Sequence, residues 1–209
     1  MAYSGDMKGG GLIRLLFRRR SSNPGSEANE ARVGVADSDR RRRNEAIDAL
    51  AYTPTEELFE RRAELQAAAE DAGLTLDEIG AVLDARPELP RPLLPIERET
   101  LLAILGYADF EGRNELLAQV DAAMVDGYDS CGCAGVTFRV NPDAPRAPTA
   151  PSTVPNFAAV FDSEDEEIGG IMICVADGYL TGIEIHDYFL PPFHGISPLP
   201  PIDQLKISR

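Results

Sequence analysis

Apolar positions along this chain keep a helical period in segments from about residue 53 to residue 124 and a strand period in segments from residue 136 onward. Leu58, Leu65, Ala69 and Ala72 fall on one helical face, after Thr53 as a capping residue, Pro54 at the first helical position and Glu56 and Glu57 in the first turn. Gly73 ends that helix. Thr75 can cap a second, which runs through Ile79, Val82 and Leu83, so residues 53–86 read as a helical hairpin. Further on, Ile96–Leu105 places Leu101, Leu102 and Leu105 inward, and Glu111–Met124 carries a stripe of Leu116, Leu117, Val120 and Met124.

The strand half is organised around residues 168–185. Ile171–Val175 is a continuous apolar run, Asp177-Gly178 is a favoured two-residue turn, and Tyr179–Ile185 is the returning strand. A run apolar on both faces asks for cover on both faces, which puts this hairpin at the centre of a sheet. With that turn, Cys174 should lie opposite Thr181. Val136–Val140 alternates as a strand, and Phe157–Phe161 is another. Prolines mark the connections at 86–95 and 141–155, and in the tail Ile202, Leu205 and Ile207 suggest a short edge strand.

The pattern therefore predicts an α+β fold: an antiparallel sheet of about four strands with two packed helices, preceded by a helical hairpin and a disordered N-terminal leader. The boundaries are 1–45 for the leader, 46–88 for the hairpin and 89–209 for the α+β domain. The leader is assigned on its Gly, Ser, Asn and Arg content and its lack of a sustained apolar period.

Charge sharpens this division. Of the 20 basic and 35 acidic residues, which give a net charge of −15, ten basic and five acidic fall in residues 1–44. The rest of the chain keeps ten basic and thirty acidic residues, a net of −20. Such an acidic body repels nucleic acid and anionic lipid, leaving Arg18–Arg20 and Arg40–Arg43 of the leader as the segments suited to phosphate. No apolar run approaches the roughly 18 residues of a membrane span. Three cysteines, Cys131, Cys133 and Cys174, make an odd number and no disulfide framework, which favours a reducing cytoplasm.

Few residues suggest chemistry. Cys131, Cys133, Cys174 and His194 are soft ligands in number enough for zinc, although the spacing is C-x-C where structural knuckles use C-x₂₋₄-C. His186 is excluded from that set by its distance from Cys174 along the hairpin. It shares a strand face with Glu184 and Tyr188, but no pocket is visible around them, so no catalytic residue is assigned. The five acids of 162–167 resemble a calcium loop without its glycine, since Glu167 occupies that position; a solvated turn is the better reading. Residues 53–86 also have an outline like a helix-turn-helix, yet the helix that would read DNA offers Asp77, Glu78 and Asp84.

Two helices, Cys131-Gly132-Cys133, a strand, an acidic turn, a hairpin with Asp177, Gly178, Tyr179, Leu180, Glu184 and Ile185, and a closing LPPIDQL resemble a group of small uncharacterised bacterial proteins with no established activity. The resemblance covers roughly residues 94–207. It implies the fold and the domain boundary, and no catalytic residue. The functional expectation is a non-enzymatic cytoplasmic interaction protein whose acidic body meets a basic protein partner, in the manner of an inhibitor or immunity-like factor. The alternatives are a small metal-binding protein using Cys131, Cys133 and Cys174, and a DNA-binding regulator using 53–86.

Overall fold

The computed structural model describes residues 27–131, 133–162, 164–188 and 196–209. Contacts divide the chain into two compact units, 1–42 and 43–209. The leader expected over 1–45 lies outside the described residues as far as 26, and from there it is helical: α1 is Glu27–Tyr52. Its Glu, Ala and Arg residues are good helix formers without an apolar period, and apolar spacing begins only with the buried Ala46, Ile47, Leu50 and Ala51. Periodicity is silent where propensity acts alone.

The predicted hairpin is three helices, α2 (Thr55–Glu60), α3 (Arg62–Asp71) and α4 (Leu76–Asp84). Thr53 does not cap the first of them. Its hydroxyl donates back to the Ala49 carbonyl at 2.6 Å, and Pro54 takes the cap position. Thr75 does cap α4: its Oγ accepts from Glu78 N at 3.3 Å while Glu78 Oε2 accepts from Thr75 N at 2.9 Å, a reciprocal capping box. Arg86 joins the hairpin to the end of α1 by donating to the Leu50 and Thr53 carbonyls, which a helix terminus leaves without partners.

After α5 (Pro95–Gly106), the second predicted helix ends early. Among the described residues α6 is only Arg113–Gln119, a 3₁₀ turn covers Val120–Ala122, and Ala123–Tyr128 is a strand. Met124 fits both the helical stripe and an alternating pattern, so the apolar period could not separate the two. The side chain of Gln119 shows what decides it. Buried at the helix end, its Nε2 donates to the carbonyls of Pro145 at 2.6 Å and Gly178 at 2.9 Å, and its Oε1 accepts from Leu180 N at 2.8 Å. The helix is stopped where this residue reaches the central hairpin.

Among the described residues seven antiparallel strands form one sheet, where the sequence predicts about four. They are β1 (Arg91–Pro92), β2 (Ala123–Tyr128), β3 (Val136–Val140), β4 (Phe157–Phe161), β5 (Glu167–Ala176), β6 (Tyr179–Asp187) and β7 (Leu205–Ser208), in the order β1-β2-β3-β6-β5-β4-β7. The β5–β6 hairpin is central, and Asp177 and Gly178 both have positive φ, 51° and 80°, as its tight turn requires. A bulge moves the pairing: Cys174 lies opposite Gly182, and Thr181 is the extra residue between Gly182 and Leu180. β7 pairs with β4 at one edge, as the tail suggests; β1 and β2 are the strands that proline content and helical spacing concealed.

Ile171, Ile173 and Val175 of β5, with Leu180, Ile183 and Ile185 of β6, are buried in the core alongside Leu101, Ile104, Leu105 and Leu116 of α5 and α6. The expectation of full cover on both faces is corrected by the other face. There Met172 and Cys174 are only half-buried, and Glu184 and His186 are exposed. Because α4 packs chiefly on β2, the outer face of the hairpin stays partly open.

Candidate functional site

An open cleft of about 550 Å³ fills that gap. Gly80 and Asp84 of α4 form one wall, Tyr128, Asp129 and Ser130 one end, and Thr137, Cys174, Thr181 and Glu184 the sheet side. Of two glycines beside it, Gly127 gives it shape. A Cβ on Gly127 would stand 2.6 Å from Thr137 Oγ1 and 2.8 Å from Asp84 Oδ1, so only glycine lets that carboxylate approach β2. A Cβ on Gly80 would meet Ser130 at 3.5 Å.

Three carboxylates, Asp84, Asp129 and Glu184, line the cleft, and no Lys, Arg or His among the described residues does. Burial raises the Asp84 carboxyl above its usual range and nearby Asp126 raises it further, against a hydrogen bond from the Tyr128 backbone that lowers it.

On the sheet side, Cys174 Sγ and Glu184 Oε2 are 3.2 Å apart, and Glu184 Oε1 lies 3.2 Å from His186 Nε2. One carboxylate thus spans two side chains that the sequence reading separates by backbone distance alone. Burial, then the hydrogen bond and charge of Glu184, push the thiol up to about 11. A nucleophilic cysteine needs a base or a cation beside it, and this one has an anion. The Cys-Glu-His row therefore holds a protonated thiol. His186, Glu184 and Tyr188 are all exposed.

Beneath the end of the cleft, Tyr128 is surrounded by cations. The guanidinium carbons of Arg62, Arg86 and Arg91 stand 5.8, 5.6 and 5.5 Å from its ring centroid, and the Phe59 ring meets it edge-on at 5.7 Å. Arg91 donates to Glu97 through two nitrogens, at 2.8 and 2.6 Å, and Arg86 pairs with Glu88. Arg62 has no carboxylate bonded to it. Its NH2 group donates to the Asp129 carbonyl, while Nε and NH1 are buried without partners. Desolvation lowers its pKa to about 10 even though Asp129 and Tyr128 favour its charge.

The loop between β2 and β3 holds Cys131 and Cys133, joined by a disulfide; the sequence reading leaves them as separate thiols. Asp129, Cys131 and Cys133 place one ligand atom each within 4.8 Å of one another, the one such group among the described residues. Cys174 is not in it, and His194 lies outside the described residues. The zinc set read from sequence is thus not brought together here, and Asp129, which spacing arguments on Cys and His overlook, stands beside the pair. In the acidic turn, Asp162 Oδ1 accepts from Glu164 N at 2.8 Å and Glu166 N at 3.0 Å, which shapes a turn through one carboxylate. In the helix-turn-helix-like segment, Ile79, Val82 and Leu83 are buried, and Glu78 pairs with Arg43. Among the described residues no helix is long and apolar enough to cross a membrane.

Compared with protein-family models, with curated proteins and with solved structures, the chain matches none.

Proposed function

We propose that this chain is a non-enzymatic cytoplasmic binding protein that receives a basic side chain, Lys or Arg, of a protein partner in the cleft between α4 and the central strands. One observation carries the reading: Asp84, Asp129 and Glu184 line that cleft, and no basic residue among the described ones does. Carboxylates lining one open space can accept from the several N–H groups of a guanidinium or ammonium. The field of an acidic body steers a basic partner toward this position before contact. If the captured side chain belongs to another protein's active surface, the result is an inhibitor or immunity-like factor. Duplex DNA is the poorer ligand, because Asp77, Glu78 and Asp84 of α4 would have to face phosphate.

Calorimetric titration of the full chain with a short Lys/Arg peptide at low salt tests the reading. Saturable one-to-one binding is expected, weakened at least tenfold in the Asp84→Asn/Glu184→Gln double variant. In a control double variant, Glu164→Gln/Glu166→Gln, which removes the same charge from the exposed turn, affinity should hold. Equal losses in both would mean diffuse attraction to the whole body and would end the cleft reading.

A further inference from the structure

We infer that reduction of the Cys131–Cys133 bridge creates a binding site for one soft divalent cation of the zinc type, held by the Asp129 carboxylate and the two thiolates, with water as fourth ligand. This set is distinct from the one drawn from sequence: Asp129 stands in place of Cys174 and His194, and the Cys174 thiol is hydrogen-bonded to Glu184. It shares Asp129 with the cationic-partner reading, whose test is made at Asp84 and Glu184, so that the two can fail separately.

The loop already has the form of such a site. Asp129 N donates to the Gly135 carbonyl at 3.0 Å, closing the loop at its base. Asp129 Oδ1 accepts from Cys131 N at 3.2 Å, and Cys133 N donates to Cys131 Sγ at 3.3 Å, an N–H aimed at a sulfur that it would stabilise as a thiolate. Gly135 leaves the interior open. A Cβ there would stand 3.1 Å from Asp129 Cβ, 3.2 Å from Cys133 Sγ and 3.3 Å from Asp129 Oδ2, pressing on two of the three ligands at once. Ligands of a tetrahedral zinc stand about 3.3–3.8 Å apart for metal–ligand distances of about 2.0–2.3 Å. Rotation of the two freed sulfurs reaches that spacing.

Charge fits the site as well. Arg62, buried against the Asp129 carbonyl, is a cation with two unpartnered nitrogens, and Asp129 offsets it. One divalent cation in exchange for two thiol protons leaves that balance as it is in the oxidised state. In the reducing step, a dithiol passes two electrons and two protons to the bridge and leaves as its own disulfide. Metal binding then displaces the two thiol protons to solvent. Cys131 is half-buried and Cys133 buried, so the reductant attacks at Cys131 and Cys133 departs as the first thiolate.

Cobalt(II) titration of the full chain, oxidised or reduced with a phosphine that does not compete for the metal, reads the site directly. The reduced protein should take up one equivalent, with a thiolate-to-cobalt charge-transfer band, and the oxidised protein none; this comparison needs no substitution. Cys131→Ser and Cys133→Ser should each remove the band, Asp129→Asn should weaken binding at least tenfold, and Cys174→Ser should leave it unchanged. Absence of binding by the reduced chain, equal uptake by the oxidised chain, or loss of the band in Cys174→Ser would each overturn the assignment.

Discussion

The Cys174 thiol lies 3.2 Å from Glu184 Oε2, across the central strand pair, and burial together with this carboxylate keeps it protonated. Under non-reducing conditions Cys174 is the free cysteine, so its alkylation can be followed alone. At pH 8 iodoacetamide should react slowly. Glu184→Gln removes the anion, moves the thiol pKa back toward 9.0, and should speed alkylation several-fold. An unchanged rate would show that burial alone protects the sulfur.

The same group makes stability depend on alkaline pH. Its folded pKa, about 11, exceeds the unfolded value of 9.0, so its contribution is complete below pH 9 and is lost as pH rises to about 11. Urea midpoints of the parent and Cys174→Ser should therefore converge or cross over that window. Parallel curves would contradict the raised pKa.

Glu97 is the partner whose loss should be most damaging. It is fully buried, takes both nitrogens of Arg91 and also accepts from Leu94 N at 2.7 Å at the start of α5. Burial opposes the charge of Arg91, but the bonds and charge of Glu97 and the Tyr128 hydroxyl hold its pKa above the usual value. Glu97→Gln should cost about 3–5 kcal/mol by leaving a buried guanidinium unpaired, measured by denaturant unfolding. A double Arg91→Met/Glu97→Leu variant should be less destabilised than either single change.

Arg62 predicts the opposite sign. Its guanidinium is buried with Nε and NH1 unpartnered, so Arg62→Met, which keeps most of the volume, should leave the oxidised protein as stable or more so. A loss above about 2 kcal/mol would mean that its bond to the Asp129 carbonyl and its contact with Tyr128 outweigh that desolvation.

Gln119 ties α6 to the turn of the central hairpin. Gln119→Leu strands the Pro145 carbonyl and the Leu180 amide, at about 1–3 kcal/mol for each group left dry, while the Gly178 carbonyl keeps the Ala147 amide at 2.9 Å. Hydrogen exchange at Leu180 should rise in the variant before exchange in β2 and β3 does. Uniform acceleration would make the residue a global support instead.

What residue order alone determines is local. Asp177-Gly178 is a turn because few other pairs accept positive φ twice in succession; Thr75 with Glu78 starts a helix because each satisfies the other's backbone; alternation over Val136–Val140 leaves one face to bury. The α+β class, the central hairpin and the edge strand near the tail follow from such signals. Tertiary structure decided what depends on distant partners. Met124 fits a helix and a strand equally, and its pairing with Arg139 of β3 makes it a strand residue. Arg91 becomes a strand residue in a proline-rich connection because Val125 pairs with it and Glu97 takes its charge. The cleft was illegible for the same reason: Asp84, Asp129 and Glu184 are far apart in sequence, and only the packing of α4 on β2 sets them around one space.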